Sequence, residues 1–136
     1  MDFEDFIING KVILGESDIQ KSKALIIMSN KNILGLKRLK IDNVTSSTVL
    51  SSSYESLRQI LEAICLLKGY KVYSHEAYVY YLLKINEENI SNKFNRLRKL
   101  RNGINYYAKD VSSKVSKDAF IEIQEICEYL KKKYLE

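Results

Sequence analysis

The sequence predicts an all-α protein, an up-and-down bundle of about five helices folded as a single domain over residues 1–136. Three observations lead to this prediction. The chain has no proline and only 5 glycines, so it lacks the turn residues that a strand-rich fold needs. Apolar residues recur with the period of an amphipathic α-helix, and the alternation typical of strands is nearly absent. Short connections between the periodic segments favour antiparallel neighbours.

The first third of the chain predicts a short helix followed by a long one. Residues 2–9 form the short leading helix, and residues 10–15 connect it to the next. Ser17 and Gln20 make a capping box, in which each side chain satisfies a backbone donor at the start of a helix. This capping box opens a helix over about 17–40. Its apolar positions are Ile19, Ile26 and Ile33, with Ile27 and Leu34 beside them.

A segment rich in Ser and Thr predicts the next break. Residues 45–53 contain seven of them, which is typical of a loop. Ser52 and Glu55 form a second capping box, and Gly69 ends the helix that follows because glycine accepts the left-handed stop conformation. The core-facing stripe of this helix is Leu50, Tyr54, Leu57, Leu61 and Ile64.

The second half of the chain predicts three further helices. Ser74 caps a helix over about 75–86, which is apolar nearly all round and is therefore central or covered by a partner. Further helices cover about 89–109 and 114–135. Their stripes are Ile90, Phe94, Leu97, Leu100, Ile104 and Tyr107 in the first, and Phe120, Ile123, Cys127, Leu130 and Tyr134 in the second.

The composition excludes several classes of protein. Hydrophobic residues make up 46% of the chain and charged residues 29%, which is typical of a globular domain. Two cysteines and one histidine are too few for a disulfide-rich scaffold or a Cys/His zinc site. No apolar run reaches the about 18 residues that a transmembrane helix needs, and the N-terminus is acidic where a signal peptide is basic. We therefore expect a cytoplasmic protein with no membrane contact, no metal and no cofactor.

Positive charge is concentrated in one predicted helix. Residues 93–109 contain six Lys or Arg and no acid, whereas the net charge of the whole chain is +5. Two adjacent tyrosines, Tyr106 and Tyr107, end this segment. Such a helix is suited to a phosphate backbone and to stacked single-stranded bases. The alternative is a solvated helix face whose charge is balanced by acids on neighbouring helices.

The polar residues of this helix share one arc. At about 100° per residue the arc spans roughly 140°, with Arg101 and Tyr106 at its two ends. These two could share a site only across a dimer or at a kink in the helix at Gly103. The members of the arc are Arg98, Arg101, Asn102, Asn105 and Tyr106. The nucleic-acid contacts that we expect are Arg98, Arg101, Asn105 and Lys109.

These residues resemble the motif of the HEPN superfamily, the higher eukaryote and prokaryote nucleotide-binding domains. The family motif is an Arg, usually followed by a polar residue, and then a His after four to six residues. Arg101 and Asn102 match its opening, whereas Tyr106 or Tyr107 stands where the His would be. The stretch GYKVYSHEAYVYYLL, residues 69–83, is similar to the family's junction between the third and fourth helices. The resemblance covers roughly residues 50–110.

The resemblance implies a HEPN-like bundle that forms a homodimer and binds RNA or a nucleotide. Many family members are RNases, and many pair with a minimal nucleotidyltransferase in toxin–antitoxin-like pairs. By position, the site would be Arg101, Asn102 and Tyr106. A tyrosine phenol has a reference pKa of about 10 and is a poor base at neutral pH, so we expect weak or absent RNase activity.

Two alternatives stay open. The chain could be a structural protein-interaction subunit with no nucleic-acid role, in which a carboxylate such as Glu122 or Glu125 seals Arg101. It could instead be a residual RNase in which Tyr106 replaces the motif His. Among the other reactive residues, we expect His75 to be a cap-region or packing residue, explained by local hydrogen bonds. We expect the thiols of Cys65 and Cys127 to be buried.

Overall fold

Six helices and one small sheet make up the protein, which a computed structural model describes over residues 1–136. The predicted all-α helical bundle is confirmed. None of the six helices combines the length and apolar character needed to cross a bilayer. The elements in chain order are α1 (Phe3–Ile8), β1 (Val12–Leu14), α2 (Ile19–Lys37), α3 (Ser46–Leu67), β2 (Tyr70–Val72), α4 (His75–Lys84), α5 (Glu88–Tyr107) and α6 (Ser113–Tyr134).

Helix α3 is the centre of the bundle. Helices α2, α5 and α6 and strand β2 all pack against it, while α4 packs on α1 and α5. Leu50, Tyr54, Leu57 and Leu61 of its predicted stripe have no exposed surface. The predicted burial of both thiols is also confirmed, and burial raises the pKa of Cys127 to about 12.

The start of α3 differs from the sequence prediction. The segment predicted as a loop over 45–53 is helical from Ser46 onward, so Ser52 lies inside the helix and forms no capping box with Glu55. In an isolated helix, serine hydroxyls compete for the backbone hydrogen bonds and so disfavour the helix. In this protein the serine at the start of α3 bonds to partners on other elements instead. The buried Ser46 donates to the Val111 carbonyl oxygen at 2.8 Å, and its own carbonyl oxygen accepts from Ser116 at 2.7 Å.

Serines also mediate the packing of α2 on α3. The hydroxyls of Ser22 and Ser29 donate to the carbonyl oxygens of Ala63 and Ser56, at 2.9 and 2.8 Å. The predicted apolar stripe is therefore only partly correct, since Ile26 and Ile33 reach the core whereas the three other positions are exposed: Ile19, Ile27 and Leu34. The start of α2 also differs, because the side chain of Asp18 rather than that of Ser17 caps the helix.

A two-stranded antiparallel sheet replaces part of the predicted 10–15 connection. Val12 pairs with Val72, and Leu14 pairs with Tyr70. The predicted helix end at Gly69 is correct, and φ there is +82°. A Cβ at this position would lie 2.3 Å from the Gly15 carbonyl oxygen, so both the backbone conformation and the close strand approach require glycine.

Candidate nucleic-acid interface

Arg101 lies where α3, the start of α4 and α5 meet. Its guanidinium carbon is 5.4 Å from the centre of the Tyr54 ring of α3 and 5.7 Å from that of Tyr106 on its own helix. Both distances are in the range of cation–π contacts. Tyr54 is fully buried whereas Tyr106 is 68% exposed, so Arg101 connects the core with the surface.

The contact between Arg101 and Tyr106 corrects the angular argument from the sequence. On an ideal helix the two side chains were expected to meet only across a second chain or at a kink at Gly103. Helix α5 instead continues through Gly103 to Tyr107. The long, flexible arginine side chain bridges the angle, and one chain is sufficient.

His75 belongs to the same cluster, a position that the sequence did not predict. It is the first residue of α4, and its Nδ1 lies 3.1 Å from the hydroxyl oxygen of Tyr54. The preceding residue, Ser74, is the N-cap but makes no capping hydrogen bond with its side chain. The expected local hydrogen bonds are therefore wrong, whereas the expected packing role is observed, because His75 packs against Tyr54 of α3.

The surroundings of His75 favour its neutral form. Burial lowers the pKa of the imidazole, and the positive charges of Arg58, Arg101 and Arg98 lower it further. Burial also raises the pKa of Tyr54, which keeps its hydroxyl protonated. His75 is the sole protein partner of that hydroxyl, and the tautomer of the imidazole sets which of the two groups donates. No protein group bonds to Nε2, which is therefore available to a ligand.

Two of the three arginines around this imidazole have no acidic partner. Arg58 is paired with Glu55 at 2.6 Å and with Glu62 at 2.7 Å. Arg98 and Arg101 form no ion pair. The cluster thus keeps two positive charges that no carboxylate neutralises.

Neutral amides position these two guanidiniums. Arg98 donates to Oδ1 of Asn95 at 2.9 Å, and Arg101 donates to Oδ1 of Asn102 at 3.3 Å. An amide orients a guanidinium without cancelling its charge, so the remaining N–H groups can bind an anion. We refer below to Arg98, Arg101, Tyr54, His75 and Tyr106 together as the arginine cluster.

The two outer residues of the predicted interface have different locations. Asn105 is exposed and its Oδ1 accepts a hydrogen bond from Ser51 at 3.2 Å, so it stays on the α3 side of the helix. Lys109 lies apart from the arginine cluster. The chain turns back after Tyr107, and the Lys109 side chain lies over Gly103.

The sequence contained no spacing signal for Tyr54 and His75. They belong to α3 and α4, and only the tertiary packing brings them to Arg101. No three His, Cys, Asp or Glu side chains lie close enough to hold a metal ion. No protein-family model matches the chain, and a search of curated proteins found no match. The HEPN resemblance therefore stays a prediction that depends on the residues quoted above.

Proposed function

We propose that this protein is a HEPN-like domain that binds single-stranded RNA at the arginine cluster. One observation carries the proposal: Arg98 and Arg101 are oriented by amides and have no acidic partner, and Arg101 lies beside the exposed ring of Tyr106. Guanidiniums bind phosphate oxygens through paired N–H donors, and an exposed aromatic ring stacks on an unpaired base.

The cluster is suited to an unpaired strand in particular. Tyr106 and Tyr107 are 68% and 73% exposed at the end of α5, where bases would have to be splayed out to reach them. The contact with the buried Tyr54 fixes Arg101 before any ligand arrives. A fixed guanidinium loses less conformational entropy on binding than a free surface side chain.

The chemistry of the cluster favours binding over cleavage. RNA cleavage through its own 2′-hydroxyl needs a base to remove the hydroxyl proton. A tyrosine phenol stands at the motif position, and phenols are poor bases at neutral pH. We therefore propose a binding protein with weak or absent RNase activity.

The role of a purely structural subunit has less support. That role requires a carboxylate paired with Arg101, and the candidates from the sequence are Glu122 and Glu125. The structure pairs Glu122 with Arg96 instead, and Glu125 makes no ion pair. A homodimer and a nucleotidyltransferase partner stay predictions from the resemblance.

Fluorescence anisotropy with a short labelled single-stranded RNA tests the proposal. We expect the wild type to bind at about 50 mM salt and to lose affinity steeply by about 200 mM, as phosphate contacts do. Arg101→Ala should weaken binding about tenfold or more and reduce the salt dependence. Arg38→Ala is the matched control, because Arg38 is an exposed arginine without an ion pair at the end of α2.

Two results would contradict the proposal. The first is no binding of the wild type at low salt, which would favour a protein-interaction subunit. The second is equal loss in both variants, which would mean that net charge alone matters. A denaturing gel of the same samples detects cleavage, and cleavage abolished in Arg101→Ala would establish a residual RNase.

A further inference from the structure

Helix α2 is apolar on two opposite sides, and only one of them packs in the bundle. Leu25 and Leu36 are buried, whereas Ile27 and Leu34 are 66% and 59% exposed. At about 100° per residue, each exposed residue lies roughly opposite a buried leucine two positions away. A helix that is apolar on both sides is normally covered on both. The outer side of α2 therefore has the character of an interface without a partner.

Lysines and apolar residues alternate along this outer side. Lys23, Ile27, Lys31 and Leu34 follow one another in steps of four, four and three residues. Such steps place consecutive side chains one above the other on a helix. The four residues, which we call the α2 ridge, span about 16 Å at 1.5 Å per residue. This length can be covered by a short helix of a partner.

The charge on the α2 ridge is positive and unpaired. Helix α2 contains four lysines and neither Asp nor Glu. Lys21 has an acidic partner, Glu62 at 3.6 Å, whereas Lys23, Lys31 and Lys37 form no ion pair. The exposed apolar residues are thus flanked by free positive charges.

A groove between α2 and α6 runs beside the α2 ridge. It has a volume of about 290 Å³, and Ile33 and Leu34 supply apolar lining. Its one carboxylate, that of Glu128, is paired with Lys131 at 2.7 Å, so Lys37 is left as the unpaired charge of the groove. An apolar side chain of a partner can enter the groove next to Leu34.

Three other occupants fit this surface less well than a second protein does. A second copy of the chain, docked through the same face, would bring unpaired lysines against unpaired lysines. Helix α2 has no aromatic residue, whereas bases stack on aromatic rings and helices at a membrane surface often bury them. A phosphate backbone would pair with the lysines but leave Ile27 and Leu34 uncovered. Charge and apolar surface together favour a protein partner that carries both carboxylates and apolar side chains.

We propose that the α2 ridge docks an acidic amphipathic helix of another protein. Ile27 and Leu34 are seven residues apart, so apolar residues one heptad apart on the partner can contact both. Carboxylates that flank those residues pair with Lys23 and Lys31 and fix the register of the two helices. The α2 ridge and the arginine cluster lie on different helices, and docking at the ridge does not depend on RNA binding.

A synthetic acidic peptide of about three heptads tests the proposal, with Leu at the first and fourth positions of each heptad and Glu at the flanking positions. Titration calorimetry measures its binding, and circular dichroism detects the helix that it forms on the protein. We expect a Kd of about 10 μM or tighter at low salt, with weaker binding as salt is added. A peptide of the same composition in scrambled order should bind about tenfold more weakly or worse.

Variants of the protein place the peptide on the α2 ridge. Ile27→Ser and Lys31→Glu should each weaken binding about tenfold or more, and both change an exposed side chain, so the fold is kept. Ile8→Ser and Lys11→Glu are the matched controls, because they change an exposed isoleucine and an exposed lysine at and just after the end of α1. They should have no effect. A peptide with Lys in place of Glu should bind Lys31→Glu more tightly than it binds the wild type.

Several results would overturn the proposal. They are no binding of the acidic peptide, equal binding of the scrambled peptide, and equal loss in the two control variants. Loss of peptide binding in Arg101→Ala would place the peptide on the arginine cluster instead. Self-association, binding to phosphatidylserine vesicles or RNA binding that Ile27→Ser abolishes would assign the ridge to a second copy, a membrane or a nucleic acid.

Discussion

The pKa of His75 depends on the charge of the arginine cluster. His75 is also the only histidine in the chain, so its titration can be followed without interference from another imidazole. Its pKa in the free protein is lowered, first by burial and then by the charges of Arg58 and Arg101. A bound phosphate offsets those charges, so saturation with RNA should raise the pKa of His75, and lowering the pH should then strengthen binding through proton uptake. Proton NMR of the imidazole follows this titration without assignment of other residues.

Arg101→Ala tests the same dependence of the His75 pKa on nearby charge without a ligand. Removing one positive charge beside the imidazole should raise the pKa of His75 in the free protein, whereas Arg38→Ala should leave it unchanged. A pKa of His75 that is the same with and without RNA would show that the strand does not approach the cluster.

Because the folded-state pKa is lowered, the contribution of His75 to stability is present above its unfolded value of about 6.5 and is lost as the pH falls below it.

Single residues show where reasoning from the sequence works and where it ends. Arg101, Asn102 and Tyr106 were identified because one helix carries all three, but the contact between Arg101 and Tyr106 within one chain was not predicted. Tyr54 and His75 could not be added, since their contact with Arg101 depends on how α3 and α4 pack. Lys109 is an expected nucleic-acid contact at the end of a helix predicted to reach it, but the helix ends earlier, at an alanine in the left-handed conformation, which no sequence pattern predicts.

At the scale of elements, a buried carboxylate joins the α4–α5 corner to the end of α6. Glu87 is only 7% exposed and accepts hydrogen bonds from Tyr129 at 3.0 Å, from Lys133 at 3.1 Å and from Tyr134. Glu87 is the N-cap residue of α5, yet its side chain makes no capping bond. The carboxylate therefore serves to anchor α6 rather than to cap α5.

Glu87→Gln should lower the free energy of unfolding by about 1–3 kcal/mol near neutral pH, because buried donors lose a charged acceptor. Burial alone would raise the pKa of Glu87, but the hydrogen bonds from Tyr134, Lys133 and Tyr129 lower it below its ordinary value. A lowered folded-state pKa means stability that is present above the unfolded value of about 4.3 and is lost as the pH falls. Urea unfolding at several pH values measures this: the wild type and the variant should differ near neutrality and converge in acid. Equal stability near neutrality would refute the anchoring role.

Most of the helices were predictable because an apolar 3.6-residue period marks them in the sequence, whereas the helix ends and the strands were not. Helix α3 starts early because Ser46 and its neighbours find partners on other elements, as Val111 and Ser116 show. The strands are three residues each and pair across a long sequence separation, so no local alternation marks them. Small buried serines hold α2 on α3, and a search for apolar stripes does not detect such an interface.

At the scale of the whole molecule, one continuous core joins five of the six helices with the first strand. The largest cluster of buried side chains draws on α1, β1, α3, α4, α5 and α6, while α2 adds only partly buried residues such as Ile26 and Ile33. Since no boundary interrupts this core, the predicted single domain should unfold in one cooperative step. Calorimetry should give an unfolding enthalpy of about 95 kcal/mol near 60 °C for a chain of this length, equal to the van't Hoff value.

Helix α2 provides the test of the predicted single unfolding step. It is held to α3 by the hydrogen bonds of Ser22 and Ser29 and by two small apolar clusters, and it adds only partly buried residues to the main core. Helix α2 contains no tyrosine, so tyrosine fluorescence reports on the rest of the bundle whereas circular dichroism reports on all the helices. If the contacts of α2 hold it to α3 until the whole domain unfolds, the two signals change together. An early loss of helical signal before the fluorescence changes would show instead that α2 opens as a unit of its own. The bundle would then consist of a stable core around α3 and one detachable helix.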